Sequence, residues 1–212
     1  MADPSITATS EGALTVYFDY GCPFSFLGYV LVERYRAEHD APDVNWEPFD
    51  LEGYARDEDG TVDESVGAEK DYDYLGRVER GVEKRRERHD VEMIDVDEAR
   101  GIDSWPAMQG AIHAEAAAPD LFEDYHGAVF EALWRDGRDI GDLDVLCELA
   151  EGVGINPDPL REKVAANEYY GRLQSVFTKA ELGGIAGVPA FVYGEEGHRG
   201  AISPAELEEL LN

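Results

Sequence analysis

Cysteine and lysine are both scarce. Two cysteines, Cys22 and Cys147, and four lysines, Lys70, Lys84, Lys163 and Lys179, occur in 212 residues. Two thiols cannot supply a multi-bridge disulfide framework, and neither has partners at zinc-ligand spacing, so no metal site is expected. Basic charge is short as well: 18 Lys and Arg stand against 47 Asp and Glu, a formal net charge of −29. Such a field repels nucleic acid and anionic lipid, which sets both aside as partners. No stretch approaches the roughly 18 apolar residues of a membrane span. Met1–Ala13 lacks a cationic segment followed by an apolar run, so the chain reads as soluble and cytoplasmic. No internal repeat or low-complexity tract is evident either.

Hydrophobic residues make up 43%, enough for one generous domain or for a small fold carrying a large insertion. The carboxylates are spread along the chain among periodic apolar segments, and arginine supplies most of the positive charge. An acidic, lysine-poor surface suits concentrated salt, where self-repulsion is screened, so a halophilic protein is expected.

Leu14 to Asp19 alternates, with Leu14, Val16 and Phe18 on one face and Thr15, Tyr17 and Asp19 on the other, the pattern of a strand. Tyr20-Gly21 breaks it, and Cys22-Pro-Phe-Ser25 opens a helix with Pro23 at its first position, where the missing N–H removes no internal bond. Val44–Phe49 reads as a second strand, so the chain opens β-α-β. An acidic loop over Gly53–Gly67 follows, then a solvated helix over Tyr72–Asp90. Helices are expected at Ala107–Ala117, Pro119–Asp136 and Asp142–Glu151. One or two more are expected between Pro159 and Leu182, interrupted near Gly171. Gly187–Tyr193 reads as a strand begun through proline, Gly194–Gly197 as a turn and His198–Ile202 as the return strand. Ser203-Pro-Ala-Glu206 has the pattern of a capped final helix.

Cys22 is the first candidate for chemistry. A thiol at a helix start faces unpaired backbone N–H groups and the positive end of the helix dipole, both of which favour thiolate. Ser25, three residues on, is placed to donate its hydroxyl to that sulfur. Cys147, in the apolar helical stripe Leu143–Ala150, reads instead as a buried inert thiol. The second candidate is Gly187-Val188-Pro189. A cis bond before Pro189 would turn the Val188 backbone outward, leaving its amide and carbonyl to pair with an extended substrate. His113-Ala-Glu115 has no following Pro-Cys-x-x-Cys, so a zinc deaminase is not indicated. Gly152-Val-Gly154 lacks a nucleotide-binding context, and no cofactor is expected.

Phe18-Asp-Tyr-Gly-Cys-Pro-Phe-Ser-Phe-Leu-Gly28 resembles the active-site segment of the DsbA superfamily, in particular its FrnE-like branch. Ile140–Leu146 with Gly154-Ile155 is similar to that family's late insertion helix, and Gly184–Val192 with Gly200-Ala201 to its cis-proline strand and the next strand. The resemblance implies an α/β thioredoxin fold, βαβ…ββα, interrupted by a large all-helical insertion. The thioredoxin-like domain would be 1–52 plus 160–212, and the insertion 53–159. It further implies Cys22 as nucleophile, with Ser25 and Pro189 as catalytic neighbours. Pro23, Phe24, Gly187 and Val188 would contact a protein or small-molecule disulfide or thiol.

Ser25 departs from the dithiol pattern, which has cysteine there. A dithiol enzyme resolves its own mixed disulfide; serine cannot, so a low-molecular-weight external thiol must release Cys22. Two other readings stay open. Kappa-class glutathione transferases and 2-hydroxychromene-2-carboxylate isomerases share the fold and use a small thiol, but carry serine near the first motif position. A peptide-binding or chaperone-like module would keep the cleft with little turnover. Oligomeric state is left open, a dimer included.

Overall fold

The computed structural model describes residues 12–57, 60–63 and 72–212. Most of the N-terminal stretch read for a leader, and parts of the acidic Gly53–Gly67 segment, lie outside the described residues. The chain forms two compact units: residues 1–51 with 174–212, and residues 52–173. The second boundary lies well beyond residue 159, where the sequence puts it. The reason is that the helix starting at Pro157 packs against its predecessors in the helical unit.

In the first unit β1 (Leu14–Phe18), α1 (Pro23–Glu38) and β2 (Val44–Pro48) are the opening β-α-β. After the helical unit come the end of α7 (Tyr170–Leu182), β3 (Ala190–Tyr193), β4 (Glu196–Arg199) and α8 (Pro204–Leu211). The four strands run in the order β2-β1-β3-β4, with β1 parallel to β2 and antiparallel to β3. All five residues of β1 are buried, because as a central strand it is covered on both faces. Val16, Trp46 and Phe191 share a register row and face α1. On the opposite face Tyr17, Ala190 and Val192 pack with Phe49, Ala180 and Ile185.

Two glycines have positional meaning. A Cβ on Gly28 would come within 2.9 Å of the Phe191 ring, so its absence lets α1 lie against β3. Gly194, at φ +59°, makes the first residue of a two-residue hairpin closed by Tyr193 and Glu196. The hairpin is tighter than the four-residue turn expected at Gly194–Gly197, and β4 therefore starts at Glu196 rather than His198. Ser203 and Glu206 form the reciprocal capping box of α8.

The helical unit contains α2 (Tyr72–His89), α3 (Trp105–Ala117), α4 (Phe122–Trp134), α5 (Leu143–Gly152) and α6 (Pro157–Ala165), and the start of α7. Its core is built from Trp105, Met108, Tyr125, Phe130, Leu133, Trp134, Leu146 and Leu160, all 3% exposed or less. The helix break falls at 166–169, not at Gly171: Asn167 adopts the left-handed conformation (φ +51°), and Gly171 lies within α7. One face of α3 fastens this turn. Trp105 Nε1 donates to Asn167 Oδ1 (2.9 Å), the Tyr169 N–H donates to Gln109 Oε1 (3.3 Å), and His113 Nδ1 shares a 2.8 Å hydrogen bond with the Tyr169 hydroxyl. His113 thus serves packing, and burial lowers its pKa. Among the described residues, no helix is long and apolar enough to cross a membrane.

Candidate active site

Cys22 is the N-cap of α1, with extended backbone (φ −87°, ψ 115°), directly before Pro23. Its position is fixed by the strand that precedes it. The Cys22 N–H donates to the Asp19 carbonyl (3.0 Å), and the Cys22 carbonyl accepts the Ser25 and Phe26 N–H groups (3.0 and 3.2 Å), starting the helix. The sulfur is 3.7 Å from the Val188 carbonyl, long but within reach of a weak S–H donor. The Val188–Pro189 peptide is cis, and pairing of β3 begins only after it, at Ala190. The Pro189 carbonyl accepts the Gly200 N–H at 2.7 Å. The fold therefore brings Cys22, Ser25, Val188 and Pro189 together from opposite ends of the chain. The Val188 carbonyl, expected to be open for substrate, faces the thiol instead.

Asp19 is the residue that strand alternation concealed. Its backbone N–H donates to Ser25 Oγ (3.4 Å). One carboxylate oxygen accepts the Gly21 N–H (2.8 Å), the other the Leu51 N–H (2.9 Å). It is 3% exposed, and it ties the end of β1 to the active-site turn, to Ser25 and to the chain leaving β2. An Asp two residues before a glycine is the sequence signal of an Asx-turn, and that signal was present in Asp19-Tyr-Gly21. Leu51 joins the site through its backbone N–H, for which no side-chain signal exists.

Cys22 is 6% exposed, and burial pushes its thiol up from an ordinary 9.0 to about 11. The Ser25 hydroxyl and the Ser25 and Phe24 N–H groups pull it down, as a helix start should, while the Asp19 charge pushes it up. Burial wins. The expectation of a thiolate-favouring site is corrected: the helix-start groups are present, but removing the sulfur from water costs more than they return. Around the thiol, Pro23 and Ser25 are buried, whereas Phe24, Gly187 and Val188 are partly open. Cys147 is also buried, its thiol reaching the Pro157 carbonyl at 3.7 Å and raised by burial. Neither cysteine is in a disulfide.

A β-α-β and a ββα closing one sheet, a cysteine at the first helix start and a cis-proline turn facing it define a thioredoxin-type protein. The family model for the DSBA-like thioredoxin domain matches residues 13–212, and the chain belongs to that family. Among curated proteins it is 25% identical over 200 residues to the uncharacterised protein YwbO of Bacillus subtilis, covering 94% of this chain and 95% of YwbO. Its fold is similar to that of the probable DsbA oxidoreductase SCO1869 from Streptomyces coelicolor. The TM-score is 0.74 at 19% identity, covering 95% of this chain and 88% of that one. It is also similar to a 2-hydroxychromene-2-carboxylate isomerase, with TM-score 0.71 at 16% identity, covering 93% of this chain and 92% of the isomerase.

Proposed function

We propose that the chain is a thiol–disulfide oxidoreductase of the FrnE-like type that works through Cys22 alone, in a salt-rich cytoplasm. The observation that carries this reading is the 3.7 Å approach of the Cys22 sulfur to the Val188 carbonyl at the head of the Pro189 turn, with Ser25 three residues further along α1. In the proposed cycle the Cys22 thiolate attacks one sulfur of a disulfide, forming a mixed disulfide and expelling the other half as thiolate. An external thiolate then attacks the adduct on the substrate sulfur, regenerating Cys22 and leaving the substrate half in a new disulfide. Ser25 donates its hydroxyl to the sulfur and Pro189 shapes the wall beside it. Pro23, Phe24, Gly187 and Val188 border the incoming chain. The other cysteine, Cys147, is buried on α5 and directed at Pro157, so it is not assigned the resolving role.

The test is turnover of a model disulfide by the parent, Ser25→Cys, Cys22→Ser and Cys147→Ser, at high salt, with adducts followed by mass. Adducts on the parent should persist until a small thiol is added. Ser25→Cys should form an internal disulfide with Cys22 and turn over faster, Cys22→Ser should be inactive, and Cys147→Ser should keep most of the parent's rate. A parent that cycles without added thiol, together with no gain in Ser25→Cys, would favour the small-thiol isomerase reading, to which the isomerase-like fold and Ser25 both lend support.

A further inference from the structure

Between the end of α7 and the start of β3 the chain runs through Gly183-Gly-Ile-Ala-Gly-Val-Pro189. Three glycines in seven residues give this segment little preference for one course, and ordering it costs more backbone entropy than an ordinary loop. Its far end nevertheless holds the Val188 carbonyl 3.7 Å from the Cys22 sulfur. Ile185 is anchored in the core with Ala180, Ala190 and Val192, whereas Ala186 is exposed and Gly187 and Val188 are partly open. Two consecutive residues at the end of β4 fasten the segment from outside. Arg199 Nη2 donates to the Gly184 carbonyl (2.6 Å), and the Gly200 N–H donates to the Pro189 carbonyl (2.7 Å). Arg199 is itself fixed opposite Ala190 in the β3–β4 ladder. Its guanidinium bonds just past the C-terminal end of α7, where the helix carbonyls carry partial negative charge. Residues 184–189 are thus held at both ends by residues 199–200.

We propose that Arg199 is a positioning residue for Cys22: through Gly184 it holds the 184–189 segment against the thiol, and so sets how readily that thiol ionises and exchanges. For ionisation this stands on the geometry, and for exchange it rests on the thiol–disulfide reading. The Val188 carbonyl can accept a hydrogen bond from the neutral thiol but repels the thiolate, and Val188 fills space beside the sulfur that water would otherwise take. Releasing the Gly184 end lets Val188 draw back. Both influences then weaken together, and both changes favour the thiolate. The Arg199 bond is exposed and adds little to global stability, so its loss is felt locally, in the glycine-rich segment it fastens.

The experiment is alkylation of the native protein by iodoacetamide from neutral to alkaline pH, mapped separately at Cys22 and Cys147. It compares the parent with Arg199→Ala, Arg199→Lys and Glu196→Ala. In Arg199→Ala the Cys22 profile should level off at least about half a pH unit lower, which raises its rate at about pH 8 by at least about threefold. Lysine, which can still donate to the Gly184 carbonyl, should fall between the two. Glu196→Ala, an exposed change at the other end of β4, should leave the profile unmoved, and Cys147 should stay protected throughout. An unchanged Cys22 profile in folded Arg199→Ala would overturn the positioning role. So would a rise at Cys147 in step with Cys22, which marks general unfolding. Should Arg199→Ala not fold, the intermediate shift in Arg199→Lys is the test, and a profile identical to the parent's would overturn the role. Adduct formation with bis(2-hydroxyethyl) disulfide, followed by mass, should quicken in the same order as alkylation. A shifted alkylation profile with no disulfide adduct in any variant would uphold Arg199 as positioning the thiol and overturn the thiol–disulfide reading.

Discussion

The Cys22 thiol sits between two opposing influences, a helix start that favours its anion and a buried setting that disfavours it, and the second prevails at about 11. Alkylation of Cys22 in native protein should therefore quicken about tenfold per pH unit from neutrality and level off only near the top of that range. A plateau near pH 7 would show an activated thiolate instead. Linkage gives the sign for stability. The folded value lies above the ordinary 9.0, so the stabilisation from keeping the thiol neutral is complete below pH 9 and is lost as pH rises through about 11. Denaturation of the parent and Cys22→Ala across pH 8–11 should show the parent losing more, by roughly 2–3 kcal/mol at the top. Cys22, Ser25 and Pro189 were legible because their signals are local: a cysteine and proline where alternation stops, a serine three residues on, a proline before an apolar strand. Asp19 was harder to read, since its Asx-turn signal, a glycine two residues on, is masked by its place as the last residue of an alternating run. The burial that sets the thiol's proton affinity comes from contacts up to 166 residues away in sequence, which no local pattern reports.

Among elements, α1 against β3 is the packing on which the site depends, and Gly28 permits it. Alanine in a helix interior ordinarily stabilises by up to about 1 kcal/mol relative to glycine. Here the new methyl would meet Phe191, which is fully buried and cannot swing away. Gly28→Ala should therefore destabilise, by roughly 1–2 kcal/mol, and Phe191→Leu in the same chain should recover part of the loss. Chemical denaturation of the four variants of that cycle checks this. A gain in stability from Gly28→Ala alone would mean the helix sits farther from the sheet. The order β-α-β, helices, ββα could be read from the sequence because each element has its own period and its own stops, as Ser203 and Glu206 do for α8. What misled was turn chemistry. Gly171 looks like a breaker, yet the break belongs to Asn167, whose left-handed backbone and side-chain bond to Trp105 are visible only once α3 lies beside it.

For the whole molecule, salt acts in two directions. It weakens ion pairs such as Arg172–Glu115 and Arg161–Asp144, which are exposed and individually worth little. It also relieves repulsion among carboxylates, and arithmetic decides between them: 18 cationic side chains against 47 carboxylates leave 47 − 18 = 29 acidic groups that cannot be matched. Relief should dominate, so Tm should climb steadily from low to molar chloride, as thermal melts across a chloride series would record. A flat or falling series would remove the halophilic reading. Arg56, whose side chain is buried over Trp105 and bonded to both Asp103 oxygens, should be little affected by salt.

The position of β1 in the sheet has a consequence for the order in which the protein is made. Its parallel neighbour, β2, leaves the ribosome soon after it, but its antiparallel neighbour, β3, pairs through Ala190–Val192 with Tyr17–Thr15, near the other end of the chain. Throughout synthesis of the helical unit, one edge of the central strand has no β3 to accept and donate its backbone hydrogen bonds. The cis-proline turn that faces Cys22 arrives in that same late segment. A nascent chain thus carries its cysteine throughout synthesis of the helical unit before the wall that encloses it exists.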